Sequence, residues 1–170
     1  CALPICLELV AQANHVDPRI DVYVDLGTSA RRNGVYDQVA RALEGREYVE
    51  FWGIEPNPTV ETLREAIALG REHRVDFLLA VGGGSVIDGT KLIAAGLRYE
   101  GDPWEIVLRG RADDTVPLGT VLTMAATGSE MNSGGVVTRK ATHAKLAFSS
   151  PLCFPQFSVL DPTKTYTLPP

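Results

Sequence analysis

The sequence predicts an α/β fold: a mostly parallel sheet with helices on both faces, plus a small β-hairpin. Three observations predict it. Leu78-Leu79-Ala80-Val81 is an unbroken apolar run, as a strand buried on both faces requires, and Gly82-Gly83-Gly84-Ser85 and a helical pattern follow it. Strand and helix patterns alternate through the first half of the chain, which is the signature of parallel pairing through crossover helices. Two small-residue turns, one after residue 25 and one after residue 81, both follow predicted strands, where open α/β sheets bind their ligands.

The elements are justified in order. In residues 1–19, Leu3, Leu7 and Val10 share one helical face between Pro4 and Asp17-Pro18, an atypical opening for such a fold. Ile20 to Asp25 is rich in β-formers and reads as a strand. It runs into Leu26-Gly27-Thr28-Ser29, with Arg31 and Arg32 close behind. Asp25 suits a ribose 2′-hydroxyl, whereas hydroxyls with arginine suit a 2′-phosphate; a solvated loop without ligand is the third alternative. Val35, Val39 and Leu43 recur at a spacing of four, so a helix is expected over 34–44, ending before Gly45. Tyr48 to Trp52 reads as a short strand. Thr59 is expected to cap a helix that carries Val60, Leu63, Ile67 and Gly70 on one face.

Asp76 to Val81 is then the central strand. In the turn after it, glycines allow close approach of backbone to an anion, and the helix N-terminus offers free N–H groups and a positive dipole end. Ser85 suits an N-cap or a phosphate donor. The turn is neither G-x-G-x-x-G nor a Walker sequence, and a tight turn without a ligand is the plain alternative. Residues 97–115 read as a charged connection in which Trp104 packs into the core. Pro117 to Met124 is a further strand that opens into a loop rich in hydroxyls, Ala125 to Gly135. Val136–Arg139 and Lys145–Phe148 read as a hairpin around Ala141–Ala144, and Phe157–Asp161 as the last strand, stopped by Pro162.

Bulk properties exclude several classes of function. The 170 residues have a net charge of −5, which argues against a nucleic-acid or anionic-membrane partner. No apolar run reaches membrane-spanning length, and the opening segment lacks a basic leader. Three scattered cysteines make neither a disulfide framework nor a thiolate zinc site, so a cytoplasmic setting is expected. A first residue that is not Met and a Pro169-Pro170 end give the expectation that the chain is a piece of a longer protein. His15, His73 and His143 have no partner at helical spacing, and no G-x-S-x-G occurs, so neither metal binding nor acyl transfer is supported by these residues. Asp88 lies one turn into the helix after the glycine turn. It could bind a polar ligand or simply complement the helix N-terminus.

Val81-Gly82-Gly83-Gly84-Ser85-Val86-Ile87-Asp88-Gly89-Thr90-Lys91, Ala126-Thr127-Gly128-Ser129-Glu130-Met131-Asn132, Val159-Leu160-Asp161-Pro162 and Thr167-Leu168-Pro169 occur in this order. Together they closely resemble the iron-containing alcohol dehydrogenase family. Glu55-Pro56-Asn57-Pro58 and Asp102-Pro103-Trp104 resemble its NADP-dependent butanol dehydrogenase and aldehyde reductase branch. The resemblance implies a Rossmann-like dinucleotide-binding domain over 1–170, with the helical domain that carries a divalent metal, iron or zinc, missing from this chain. It implies hydride transfer between NADP (or NAD) and a small alcohol or aldehyde, and a homodimeric parent; the chain alone would be inactive. A non-catalytic nucleotide-binding module, or a glycerol dehydrogenase or dehydroquinate synthase relative, is the alternative. By the same resemblance Gly83, Gly84 and Ser85 would hold the pyrophosphate and Asp88 would lie near the nicotinamide. Thr123, Thr127 and Ser129 would contact the adenine-side ribose, the phosphates and the nicotinamide end. Lys145 would reach the nicotinamide ribose, Leu160 would pack on the adenine, and Asn57 would line the cleft. Where the branch usually has G-G-G-S after its first strand, this chain has Leu26-Gly27-Thr28-Ser29; Gly27, Thr28 and Ser29 would meet the 2′-phosphate.

Overall fold

A computed structural model describes the backbone of residues 22–26 and residues 34–163 in full. The strands are β1 (Val22–Leu26), β2 (Tyr48–Trp52), β3 (Phe77–Gly82), β4 (Leu118–Leu122), β5 (Gly134–Arg139), β6 (Ala144–Ser149) and β7 (Ser158–Leu160). The helices are α1 (Val35–Ala42), α2 (Val60–Glu72), α3 (Gly84–Leu97) and α4 (Pro103–Arg109), with 3₁₀ turns at Ser129–Met131, Lys140–Thr142 and Pro151–Cys153. The expected helix over 34–44 and the strand at Tyr48–Trp52 are found within a residue or two. The reading of residues 1–19 and the turn Gly27-Thr28-Ser29 lie outside the described residues.

Five strands form one parallel sheet in the order β2-β1-β3-β4-β7, and β5 pairs with β6 as a separate antiparallel hairpin. The order reverses direction at β1: β2 lies on one side of it and β3 on the other. Right-handed crossovers therefore carry α1 to one face and α2, α3 and α4 to the other. The core confirms this division. Phe77, Leu79 and Val81 of β3 pack with Val35, Val39 and Leu43, whereas Leu78 and Ala80 pack with α2, α3 and α4. Alternate side chains of one strand thus fill two cores, which is why β3 reads as continuous rather than alternating hydrophobicity.

Helix α2 buries Val60, Leu63, Ile67 and Gly70, the face expected from spacing. Thr59 occupies its N-cap position, but its hydroxyl makes no capping bond; it donates instead to Glu55 Oε1 at 2.7 Å. Helix α3 is buried on nearly every side. A Cβ on Gly96 would stand 2.3 Å from Ile67 Cδ1, so this glycine sets how closely α3 approaches α2. The connection read as a loop at 97–115 contains α4. Its start follows known rules: Asp102 is the N-cap and accepts from Trp104 N at 3.0 Å, and Pro103 takes the first helical position. Arg64 holds Asp102 in a two-pronged pair, at 3.0 and 2.8 Å from Nη2 and 3.2 Å from Nε, which locks α4 against α2. Trp104 is buried in the core as expected.

Candidate functional site

A cleft of about 910 Å³ opens at the carboxyl ends of β2, β3 and β4, on the side of the sheet that carries α2 and α3. Its floor is the glycine turn. Gly83 is the N-cap of α3, and the amides of Val86 and Ile87 turn back to Gly83 O at 3.0 and 3.2 Å. Gly84 and Ser85, as the first two helical residues, have no acceptor within the helix, so their N–H groups and the positive end of the helix lie free at the cleft. A Cβ on Gly84 would lie 3.3 Å from both Thr127 Oγ1 and Ser129 Oγ. Glycine at that position lets the two hydroxyl-bearing residues sit directly over the turn. Ser85 does not cap the helix; its Oγ accepts from Asn57 N at 3.3 Å.

Asn57, Ser85 and Lys145 form one rim. Asn57 adopts a left-handed backbone (φ 58°), tolerated by Asn better than by most residues, and its Oδ1 accepts from Lys145 Nζ at 2.6 Å. Lys145 arrives from β6, so the hairpin brings a cation to the mouth of the cleft. Glu55 anchors that hairpin. It accepts from Thr59 and Thr62 and pairs with Lys140 Nζ at 3.0 Å. Burial pushes the Glu55 carboxyl up, but hydrogen bonds from its own amide, Thr59, Lys140 and Thr62 outweigh it and hold the group below its ordinary range.

The opposite wall is the segment from Met124 to Gly135. Thr127 Oγ1 and Ser129 Oγ are 3.0 Å apart. Asp88 Oδ2 accepts from Val136 N at 3.0 Å, which ties α3 to the hairpin. Burial raises the Asp88 carboxyl above its ordinary range, against the opposing pull of hydrogen bonds from Ser129 and Val136 and of the charges on Lys91 and Lys145.

Of the residues singled out from sequence, Asn57, Gly83, Gly84, Ser85, Asp88, Thr127, Ser129 and Lys145 line this one cleft. Thr123 is buried behind it, its amide donating to Gly82 O at 3.0 Å. Leu160 is 54% exposed at the end of β7, two strands from the glycine turn. Reading by motif missed Lys91 as a contributor. Its side chain is fully buried, yet no apolar period marks it, because α3 is enclosed on nearly all sides. A lysine in a largely apolar helix, one turn after Asp88, was the available signal. Among the described residues, no group of three or more His, Cys, Asp or Glu could hold a metal ion, and no helix is long and apolar enough to cross a membrane.

The sequence profile described as "Iron-containing alcohol dehydrogenase" matches residues 9–162. The chain is 54% identical over 146 residues to the probable NADH-dependent butanol dehydrogenase 1 of Bacillus subtilis, covering 84% of this chain and 38% of that protein. It is 55% identical over 148 residues to the NADPH-dependent aldehyde reductase YqhD of Escherichia coli, covering 85% and 38%. The crystal structure of NADH-dependent butanol dehydrogenase A from Thermotoga maritima superposes with a TM-score of 0.88 at 38% identity, covering 99% of this chain and 42% of that one. The chain thus spans well under half the length of the relatives it matches. The profile match covers most of the chain, and the chain belongs to the iron-containing alcohol dehydrogenase family.

Proposed function

We propose that this chain is the dinucleotide-binding part of an NAD(P)-dependent oxidoreductase that interconverts primary alcohols and aldehydes. One observation carries the reading. The free amides of the glycine turn, the hydroxyls of Thr127 and Ser129 and the ammonium of Lys145 converge on one cleft at the carboxyl ends of parallel strands. That donor set fits a molecule with two phosphates and a ribose. Gly83, Gly84 and Ser85 hold the pyrophosphate through backbone N–H groups and helix dipole. Thr127 and Ser129 donate to phosphate oxygens and towards the nicotinamide end. Lys145, released from Asn57, reaches the nicotinamide ribose, and Asp88 orients the nicotinamide side of the cleft. Thr123, Leu160 and the turn Gly27-Thr28-Ser29 belong to the adenine side. Bound NAD(P) carries the hydride; the chain's own residues bind, orient and shield it.

The names of the relatives support the substrate class, and they divide between NADH and NADPH. The divalent metal that family membership implies would be held by residues outside those described, and a homodimeric cytoplasmic parent completes the reading. The test is titration of the chain with NADPH and, separately, NADH, following quenching of Trp52 and Trp104 and energy transfer to the nicotinamide. Saturable binding is expected. Preference for NADPH assigns Thr28, Ser29 and Arg31 to the 2′-phosphate, preference for NADH assigns Asp25 to the ribose, and binding of neither by a folded chain overturns the reading.

A further inference from the structure

Lys91 is fully buried, three residues after Asp88 on α3. Its ammonium donates to Ser129 O at 2.8 Å, Asn132 O at 2.7 Å, Asn132 Oδ1 at 2.9 Å and Gly134 O at 2.7 Å. Three N–H bonds thus serve four oxygens, all from one short stretch of chain. Asn132 completes the knot: its Nδ2 donates to Gly128 O at 2.9 Å, and its Oδ1 accepts from Gly134 N at 3.0 Å. An irregular turn, Gly128 to Gly134, is therefore wound around a single cation.

The arrangement has a directional consequence. In a trans peptide the carbonyl and the following N–H point opposite ways. With the carbonyls of Ser129, Asn132 and Gly134 turned on the ammonium, the amides of Glu130, Ser133 and Gly135 are directed away from it. Ser129, Asn132, Ser133 and Gly134 line the cleft, whereas Lys91 does not. The cation thus shapes the wall without presenting itself to a ligand. The pairing of β3 with β4 runs through their own backbone bonds and makes no use of it.

We propose that Lys91 is the positioning residue of the dinucleotide site: its ammonium holds the Gly128–Gly134 turn in the shape that sets Thr127 and Ser129 over the glycine turn. This rests on the dinucleotide reading above. A buried charge suits the task better than a neutral donor, because charge-assisted bonds are shorter and stronger, and because an ammonium reaches several carbonyls from one atom.

The experiment compares the wild-type chain with Lys91→Met, and with Lys91→Gln, which keeps a neutral donor, should the first not fold. Hydrogen exchange is measured without nucleotide, and NADPH and NADH affinities are measured on the same samples. Exchange at the amides of 128–134 is expected to quicken at least tenfold in Lys91→Met while Leu78–Val81 stay protected. Affinity is expected to fall at least tenfold, with Lys91→Gln between Met and wild type on both readouts. Unchanged exchange in the turn overturns the proposal. So does quickened exchange with affinity within twofold of wild type. Failure of the wild-type chain to bind either nucleotide overturns the dinucleotide reading instead, and is read separately from the exchange of the turn.

Discussion

Two of the turns that line the cleft are built by different means. The turn between β3 and α3 is short and held mainly by backbone, with one side-chain bond, from Asn57 N to Ser85 Oγ. Gly83 caps the helix, the first helical amides stay free, and a Cβ on Gly82 would collide with Val86 at 2.6 Å. The turn from Met124 to Gly134 is long and irregular, and side chains from elsewhere in the fold hold it. Lys91 gathers its carbonyls from within, and Ser158 Oγ donates to Glu130 O at 2.7 Å from the edge strand. The comparison teaches that the wall of a cleft can be held in place in two ways. A turn flanked directly by strand and helix inherits their order, whereas a longer one needs tethers, because each ordered residue costs about 1–2 kcal/mol of backbone entropy.

Four substitutions sharpen or break this comparison. Lys91→Met has the largest expected effect. It orphans several inward-facing carbonyls, each worth about 1–3 kcal/mol when buried without a partner. Relief of the ammonium's desolvation offsets part of that, since burial lowers the Lys91 pKa despite the nearby Asp88, Cys153 and Glu130. A net loss of about 2–4 kcal/mol is expected in urea unfolding. A loss below about 0.5 kcal/mol would show that the tether is dispensable. Asn132→Ala removes one acceptor of Lys91 and the bond to Gly128 O, and about 1–2 kcal/mol is expected in the same assay.

Asp88→Asn is expected to act through pH. The folded protein holds the Asp88 proton more tightly than the unfolded chain does, so this group favours the fold in its neutral form. Its contribution is most favourable below the ordinary carboxylate value of 3.8 and is lost as pH rises through the raised folded value. Relative to wild type, the Asn variant therefore gains stability as pH rises through that window, and thermal melting from pH 3 to pH 8 checks it. A flat difference between the two proteins would remove Asp88 as a buried acid. Gly84→Ala has the smallest effect on stability, within about 0.5 kcal/mol, because Ala suits the first turn of a helix. Its methyl sits 3.3 Å from the hydroxyls of Thr127 and Ser129, so NADPH affinity falls about tenfold, roughly 1.4 kcal/mol, by the same fluorescence titration. Unchanged affinity would move the pyrophosphate away from Gly84.

The sequence by itself determined whatever is encoded within a few residues. Leu78–Val81 announced a strand enclosed on both faces, Val35, Val39 and Leu43 announced a helix, and Gly82-Gly83-Gly84-Ser85 announced a tight turn from strand to helix. Residues 97–115 read as a charged connection, and the seven-residue helix α4 within it went unread, although Asp102 and Pro103 are the cap and first residue that start it. Only the tertiary structure decided which distant residues share the cleft. Asn57 meets Lys145 across 88 positions, and Lys91 meets Asn132 across 41. Local patterning could not give these pairs, because they follow from strand order, crossover hand and the docking of the hairpin on α3. The charge of Lys91 was legible, but its partners are backbone carbonyls, which every residue carries and no sequence pattern distinguishes.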